Sequence, residues 1–393
     1  MKGLDSYLRD TKHTLKVIED FNEQIDEGQV DMDGVAIVSM DVESMYSNMS
    51  EELATGAVKE YLESRIHQQD GNSVSANSIL RALDLCLKNN HFTFNKKVYK
   101  QISGVGTGIK LAPTYACLGM GKFEKVLFNS DEDLLDRILL WKRYIDDVLM
   151  LFRGSKSECE SLVNWLNSLL PGVVKFKFDF SFHQVEFLDL RISIEDGRLK
   201  TNLFVKENNK QLFLDYKSNH PEHCKSSIPY SQALRVIERC SSPDEAEHHL
   251  SDLQSKFEDR NYPRDLISGQ FDRARSKGDR KMLINQQTKK KNDDKKVRLI
   301  ITHNQTNPPI HMWVRQCKQL LVRNEKAKAI GEKIQIGSKQ PKNLQRLVGG
   351  DKGDSKTHDP PQNAGCLKCN KCRVVCPKIQ ESKFFTSTNT QKK

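Results

Sequence analysis

Trp141-Lys-Arg-Tyr-Ile-Asp-Asp-Val-Leu-Met-Leu-Phe152 sets two adjacent carboxylates, Asp146 and Asp147, between flanks rich in strand-favouring residues. Apolar flanks do not hold a charged pair without a compensating partner. Neighbouring carboxylates repel until a cation neutralises them, so the pattern points to a divalent metal. If the pair caps a tight hairpin, its side chains project from the sheet edge. A third carboxylate is then expected from another strand. Asp41 meets that description, in Val35-Ala-Ile-Val-Ser-Met-Asp-Val-Glu-Ser-Met-Tyr46, an apolar run broken by an aspartate. Oxygen donors of this kind suit Mg²⁺ or Mn²⁺.

The segments around these carboxylates resemble, in order, the motifs of reverse transcriptases of the Penelope-like retroelement family. Asp41-Val-Glu-Ser-Met-Tyr-Ser-Asn48 is similar to the first palm motif, an aspartate followed five residues later by an aromatic. Gly104-Val-Gly-Thr-Gly-Ile-Lys-Leu-Ala-Pro-Thr-Tyr-Ala116 is similar to the second, a Gly-rich turn opening a helix. Phe187-Leu-Asp-Leu190 follows the Asp-Asp pair where the family has its Phe-Leu-Asp segment. His220-Pro-Glu-His-Cys-Lys-Ser-Ser-Ile-Pro-Tyr-Ser-Gln-Ala-Leu234 resembles the stretch that comes next. The resemblance covers residues 1–245 and extends only loosely into the tail.

The resemblance implies an α+β fold: a polymerase palm, an antiparallel sheet with helices on one face, then a helical thumb and a basic, partly disordered tail. It implies RNA-directed DNA synthesis, with an RNA template, a DNA primer and deoxynucleoside triphosphates as partners. Asp41 and Asp146 would bridge two Mg²⁺ ions, Asp147 would assist from the hairpin edge, and Val42 would lend its carbonyl. Tyr46 would lie under the incoming sugar and disfavour a 2′-hydroxyl. The turn Gly104–Gly108, with Gly106 at its centre, would let backbone approach the template base and nucleotide, since glycine has no side chain to intervene. Lys110 either touches phosphate or is simply solvated. Lys225, Arg235 and Arg239 would track the duplex backbone on a thumb helix, or form a solvated face. Such contacts position a duplex without reading its sequence.

Two pieces of the family pattern are not found. Only 40 residues precede Asp41, where the family has its fingers region, and no Gly-Ile-Tyr or Tyr-Ile-Gly tripeptide follows the terminal cysteines. The expectation is therefore palm, thumb and linker of an element copy truncated at one or both ends. Two readings stay open: a reverse transcriptase, and a non-catalytic nucleic-acid-binding remnant. The first requires Asp41 and Asp146, and the second is indifferent to them.

Charge divides the chain. Residues 271–393 hold 29 Lys and Arg against 10 Asp and Glu, a net of +19, while the first 270 carry −9. A basic tail beside an acidic catalytic half fits contact with a nucleic-acid backbone, or a solvated tail. Cys366-x2-Cys369-x2-Cys372-x3-Cys376-Pro377 has the spacing of the bacterial ferredoxin run. Those proteins need a second cysteine group, and Cys86, Cys117, Cys159, Cys224, Cys240 and Cys317 do not form one. One Zn²⁺ held by four thiolates, a single iron–sulfur cluster (an electron carrier) and no metal remain as alternatives. Lys368, Lys371 and Arg373 beside the cysteines suit a nucleic-acid contact.

No apolar run reaches the ~18 residues that span a membrane, and the N-terminus lacks the layout of a secretory signal. The expected location is intracellular, and nuclear by analogy with retroelements and from the run Lys289-Lys-Lys291. The expected organisation is a palm over residues 1–206, a helical thumb-like region over 207–267 and a basic linker over 268–296. A helical segment over 297–348 and a linker with the cysteine cluster over 349–393 complete it. Pro229 is expected to open the thumb helix at its first turn.

Overall fold

Leu15, Ile18 and Phe21 recur at helical spacing behind Asp10, whose carboxylate accepts from the His13 N–H at 2.8 Å. They form α1 (Thr11–Asp26) in the computed structural model, which describes residues 6–64, 74–95, 97–285, 297–302, 310–323, 334–339 and 379–381. A turn at Asp31–Gly34 leads into β1 (Val35–Val42). There follow α2 (Met45–Asn48), α3 (Glu51–Ser64) and α4 (Ala76–Lys88), the last capped by Ser75. β2 (His91–Phe94) and β3 (Lys97–Gln101) pair antiparallel as a hairpin. Pro113 sits in the first turn of α5 (Ala112–Phe128), where its missing N–H costs nothing.

A short 3₁₀ turn (Asp133–Arg137) precedes β4 (Ile138–Tyr144) and β5 (Asp147–Arg153). A Ser155–Glu158 capping box then starts α6 (Lys156–Leu169). β6 (Phe176–Ser181), β7 (Gln184–Phe187), β8 (Leu190–Glu195) and β9 (Arg198–Leu203) follow. The chain divides into two compact units, Met1–Lys200 with His358–Lys393, and Thr201–Thr357.

The first unit is α+β, as expected. Its central sheet has the order β4-β5-β1-β6, and every pairing in it is antiparallel. Strand alternation sends Val38, Met40, Val42, Val148, Met150 and Phe152 to one face, where they share a core with residues of α3, α5 and α6. Ile37, Leu149 and Leu151 alternate to the other face and are also buried. The sheet is thus covered on both faces, and the unbroken apolar run after Asp147 reflects this. The β7-β8-β9 sheet touches β1 on its way past.

The second unit corrects two expectations. Its first long helix, α7 (Glu222–Arg239), starts at Pro221, so Pro229 lies inside it. Pro229 removes one helical hydrogen bond, but its ring is buried with Ala233 and Val236, and that burial offsets the loss. α8 (Pro243–Glu258) follows, and then α9 (Arg264–Arg275) and α10 (Arg280–Asn285) fall largely in the supposed basic linker. Ile267, Phe271 and Ala274 recur at helical spacing there and enter the core with Leu250, Leu253 and Phe257. The surrounding charges hide that stripe in a composition reading. Phe271→Ala is expected to lower the unit's unfolding free energy by about 3–5 kcal/mol, read from the urea midpoint. A solvated linker would lose almost nothing.

The segment expected to be helical from Val297 onward is strand–helix–strand instead. β10 (Val297–Thr302) pairs in parallel with β11 (Ile334–Lys339), and α11 (Ile310–Arg323) lies between them in sequence. The run Val-Arg-Leu-Ile-Ile-Thr is rich in β-branched residues, which favours a strand. In the first unit, β12 (Ile379–Glu381) adds to the free edge of β3.

Candidate active site

Antiparallel register sets the geometry of the carboxylates. Asp41 lies opposite Asp147, and the Val42 N–H donates to the Asp146 carbonyl at 3.0 Å. A bonded pair at Val42 and Asp146 makes Asp41 and Asp147 the neighbouring non-bonded pair. The Cα atoms of such a pair sit about 4.5 Å apart and their side chains share a face. Asp146 is the second residue of the two-residue turn that joins Tyr144 to Asp147. Asp41 is exposed at the end of its strand, and partial desolvation first, then the Asp146 charge, hold its carboxyl above its ordinary value, against a smaller pull from Lys177. Lys177 faces Asp41 from β6, but its ammonium ion-pairs with Glu43 at 2.5 Å. Lys175 reaches the same carboxylate at 3.1 Å, and these lysine bonds hold Glu43 down at about 2.

The turn itself is strained. Ile145 has φ +53°, a conformation that β-branched side chains rarely adopt, and Asp146 stays at negative φ. A positive φ at the first central position alone is the type II′ pattern, which glycine usually fills. Strain of this kind costs about 1–3 kcal/mol and persists only where the surroundings impose it.

Here the surroundings are a buried ion pair. Arg143 Nη1 donates to the Ile145 carbonyl at 3.0 Å. Its Nε and Nη2 grip Glu124 of α5 in a bidentate bond at 2.8 and 3.0 Å. Trp141 Nε1 and Ser6 Oγ complete the carboxylate shell at 3.0 and 2.8 Å. Both charged side chains are 2% exposed. Burial pulls the guanidinium's pKa down, but the bonds to Glu124 outweigh it and leave Arg143 above its usual value.

Tyr46, on the short α2, is half-buried. Burial and then the Asp146 charge raise its hydroxyl, which places the ring in the same electrostatic neighbourhood. Its carbonyl accepts from the Val105 N–H at 2.8 Å, so the Gly-rich turn is tied to the backbone of the first motif. Gly104 allows this approach: φ is +70°, and a Cβ there would fall 2.5 Å from the Tyr46 carbonyl oxygen and 2.4 Å from that of Ser47. Gly104→Ala is expected to displace the turn, cost about 1–3 kcal/mol and reduce any turnover at this site at least tenfold. Thermal unfolding and a primer-extension rate measure the two effects. Gly106, in the same turn, lies close against the Asn90 side chain, and Lys110 is exposed.

The structure brings Asp41, Val42, Tyr46, Asp146 and Asp147 together. Among the described residues, no three His, Cys, Asp or Glu side chains form a group able to hold a metal ion. Two carboxylates still fit Mg²⁺ in donor type and charge, because that ion keeps waters and takes its remaining ligands from substrate phosphates. The mutual repulsion that raises Asp41 is what a cation would relieve. Cys366, Cys369, Cys372 and Cys376 lie outside the described residues.

On α7, Lys225, Arg235 and Arg239 are all half-buried. The Lys225 ammonium donates to the Tyr216 and Ser218 carbonyls at 2.7 and 3.3 Å and lies over the Tyr216 ring. Arg239 donates to the Arg235 carbonyl at 3.4 Å and neighbours Glu238. These local bonds hold the fold of the second unit and do not form an exposed basic row.

Sequence reading missed Arg143 and Glu124 as determinants of the site. Signals for both exist: Glu124 interrupts the apolar face that Met120, Phe123 and Leu127 form on α5, and Arg143 alternates in register with Trp141 on β4. A charge on each of two apolar faces is a pair waiting to be matched.

A family profile described as an animal helix-turn-helix domain matches residues 212–272, within the second unit. No curated protein matches the chain. Among solved structures, the chain is similar to telomerase from Candida albicans in complex with a TWJ fragment of telomeric RNA, at 12% identity and a TM-score of 0.47, over 83% of this chain and 55% of that one. Apo telomerase from Candida tropicalis gives 14% identity and a TM-score of 0.43, over 67% of this chain and 47% of that one. The Sicinivirus 3Dpol RNA-dependent RNA polymerase gives 10% and 0.43, over 70% and 58%. This chain spans about half the length of these structures.

Proposed function

We propose that the chain is an RNA-directed DNA polymerase of the Penelope-like kind, extending a DNA primer on an RNA template. The observation that carries this reading is the juxtaposition of Asp41 with the Asp146-Asp147 turn, beside Tyr46 and the Gly104–Val105 backbone. Asp41 and Asp146 would hold Mg²⁺ or Mn²⁺, with Val42 adding its carbonyl and Asp147 assisting. When bound, such ions supply charge neutralisation for the departing pyrophosphate and for the attacking 3′-hydroxyl.

The chain's own residues position the reactants. In this reading Asp41 at the end of β1 and Asp146 in the β4–β5 turn order the primer hydroxyl against the triphosphate. Tyr46 offers a ring face against the sugar, and the Gly104 turn fixes where that ring stands. The cysteines from Cys366 to Cys376 would bind zinc in this reading, and the basic tail would add phosphate contacts and nuclear retention.

Primer extension on poly(rA)–oligo(dT) with Mg²⁺ or Mn²⁺ tests the reading, comparing the wild type with Asp41→Asn. Extension by the wild type alone supports it. No extension by either, with template binding intact, leaves a nucleic-acid-binding protein that does not copy its ligand.

A further inference from the structure

The β2–β3 hairpin lies outside the carboxylate site and carries a group of aromatics that the core does not use. In its register Phe92 faces Tyr99 and Phe94 faces Lys97, so all four side chains share one face of the ribbon. The Phe92 and Tyr99 rings stack at 5.6 Å and 20°, and Phe94 tilts against Tyr99 at 6.5 Å. Phe92 and Phe94 are 38% and 40% exposed, although burial is the ordinary state of phenylalanine. None of the three rings belongs to the unit's hydrophobic core.

The stretch of sequence that carries this face is basic. From Leu85 to Phe123 the sequence holds six lysines and no Asp or Glu, inside a half of the chain that is net acidic. Lys97 is exposed beside the rings, while Lys100 alternates to the other face of the ribbon. Stacked aromatics among cations are the chemistry that holds an unpaired nucleic-acid strand: ring faces take bases and ammonium groups take phosphates.

The hairpin is also wired to the carboxylate site. Gln101, its last residue, takes a backbone bond from the hairpin's root by donating to the Asn90 carbonyl at 2.9 Å. Its side-chain amide accepts from Asn90 at 3.1 Å and donates to the Ser103 carbonyl at 2.9 Å. Two residues later the Val105 N–H reaches the Tyr46 carbonyl. A strand stacked on the hairpin therefore lies on an element continuous with the turn that sets Tyr46.

We propose that the Phe92–Phe94–Tyr99 face is a stacking platform for a single strand of nucleic acid, with Lys97 on its phosphates. Under the function proposed above, on which this assignment rests, the strand is the unpaired template.

The test is anisotropy of a fluorescein-labelled oligo(rU) 12-mer with the full chain at 0.3 M salt, which suppresses binding by the basic tail. Phe92→Ala with Phe94→Ala is expected to weaken binding about tenfold or more. Phe92→Leu with Phe94→Leu keeps the apolar bulk without the rings and should weaken it similarly, with an unchanged melting curve. Lys97→Ala should reduce the slope of log affinity against log salt by about one. A 5-bromouridine oligomer should photocrosslink to the peptide containing residues 91–101. Unchanged affinity in both ring variants, with no crosslink to that peptide, overturns the proposal. A change in self-association on gel filtration without a change in oligomer affinity also overturns it, and makes the face a protein contact. Asp146→Asn should bind the oligomer normally, so loss of the platform and loss of catalysis are read separately.

Discussion

Asp146→Asn should abolish primer extension, by on the order of 10²-fold or more, while leaving duplex affinity within a few-fold. The reasoning starts from the register. Asp146 sits at a turn that the Val42 N–H fixes through the Asp146 carbonyl, so the backbone does not depend on the side-chain charge. Asparagine preserves size and turn preference and removes the anion that acts on Asp41. Folding should be unchanged or slightly improved, because the repulsion between two carboxylates disappears. Circular dichroism melting and a filter-binding isotherm, run beside the extension assay, separate these effects. Equal loss of binding and synthesis would count against the assignment of Asp146 as a metal ligand.

Glu124→Leu should cost about 3–5 kcal/mol, because it leaves the Arg143 guanidinium charged and unpaired in a buried site. Trp141 Nε1 and Ser6 Oγ lose their acceptor at the same time. The informative comparison is Glu124→Leu with Arg143→Met. Removing both charges should restore most of the lost stability, since well-packed apolar pairs replace buried ion pairs at little cost. Synthesis should stay depressed, because the Ile145 carbonyl has lost the Arg143 donor that helps hold φ +53° at that residue. Urea midpoints report the first effect and extension rates the second. Full recovery of both would show that Arg143 supports the fold and not the turn.

Much of the local structure was legible. α8 spans the residues its apolar spacing indicates, and the capping residues Ser75 and Ser155 mark helix starts. The Asp146-Asp147 hairpin follows from strand-favouring flanks around a short polar break. What local pattern could not give is partnership across elements. The order β4-β5-β1-β6 and the grip of Arg143 on Glu124 are set by tertiary contact, which periodicity within a segment does not encode. Proline at 229 misled for the opposite reason: a local rule was applied where burial of the ring overrode it. α9 was obscured because charges surround a stripe made only of Ile267, Phe271 and Ala274.

Ser6 and Leu8 bracket Arg143 along the edge of β4: the Arg143 N–H donates to the Ser6 carbonyl and the Leu8 N–H to the Arg143 carbonyl, each at 2.6 Å. The same Ser6 contributes its hydroxyl to Glu124. Ser6 and Leu8 are therefore splinted to the backbone of Arg143, whose guanidinium steadies the acidic turn. For anyone producing the protein, an affinity handle or protease scar placed against Ser6 bears on the Ile145-Asp146 turn through Arg143. A handle at the other end leaves that splint intact.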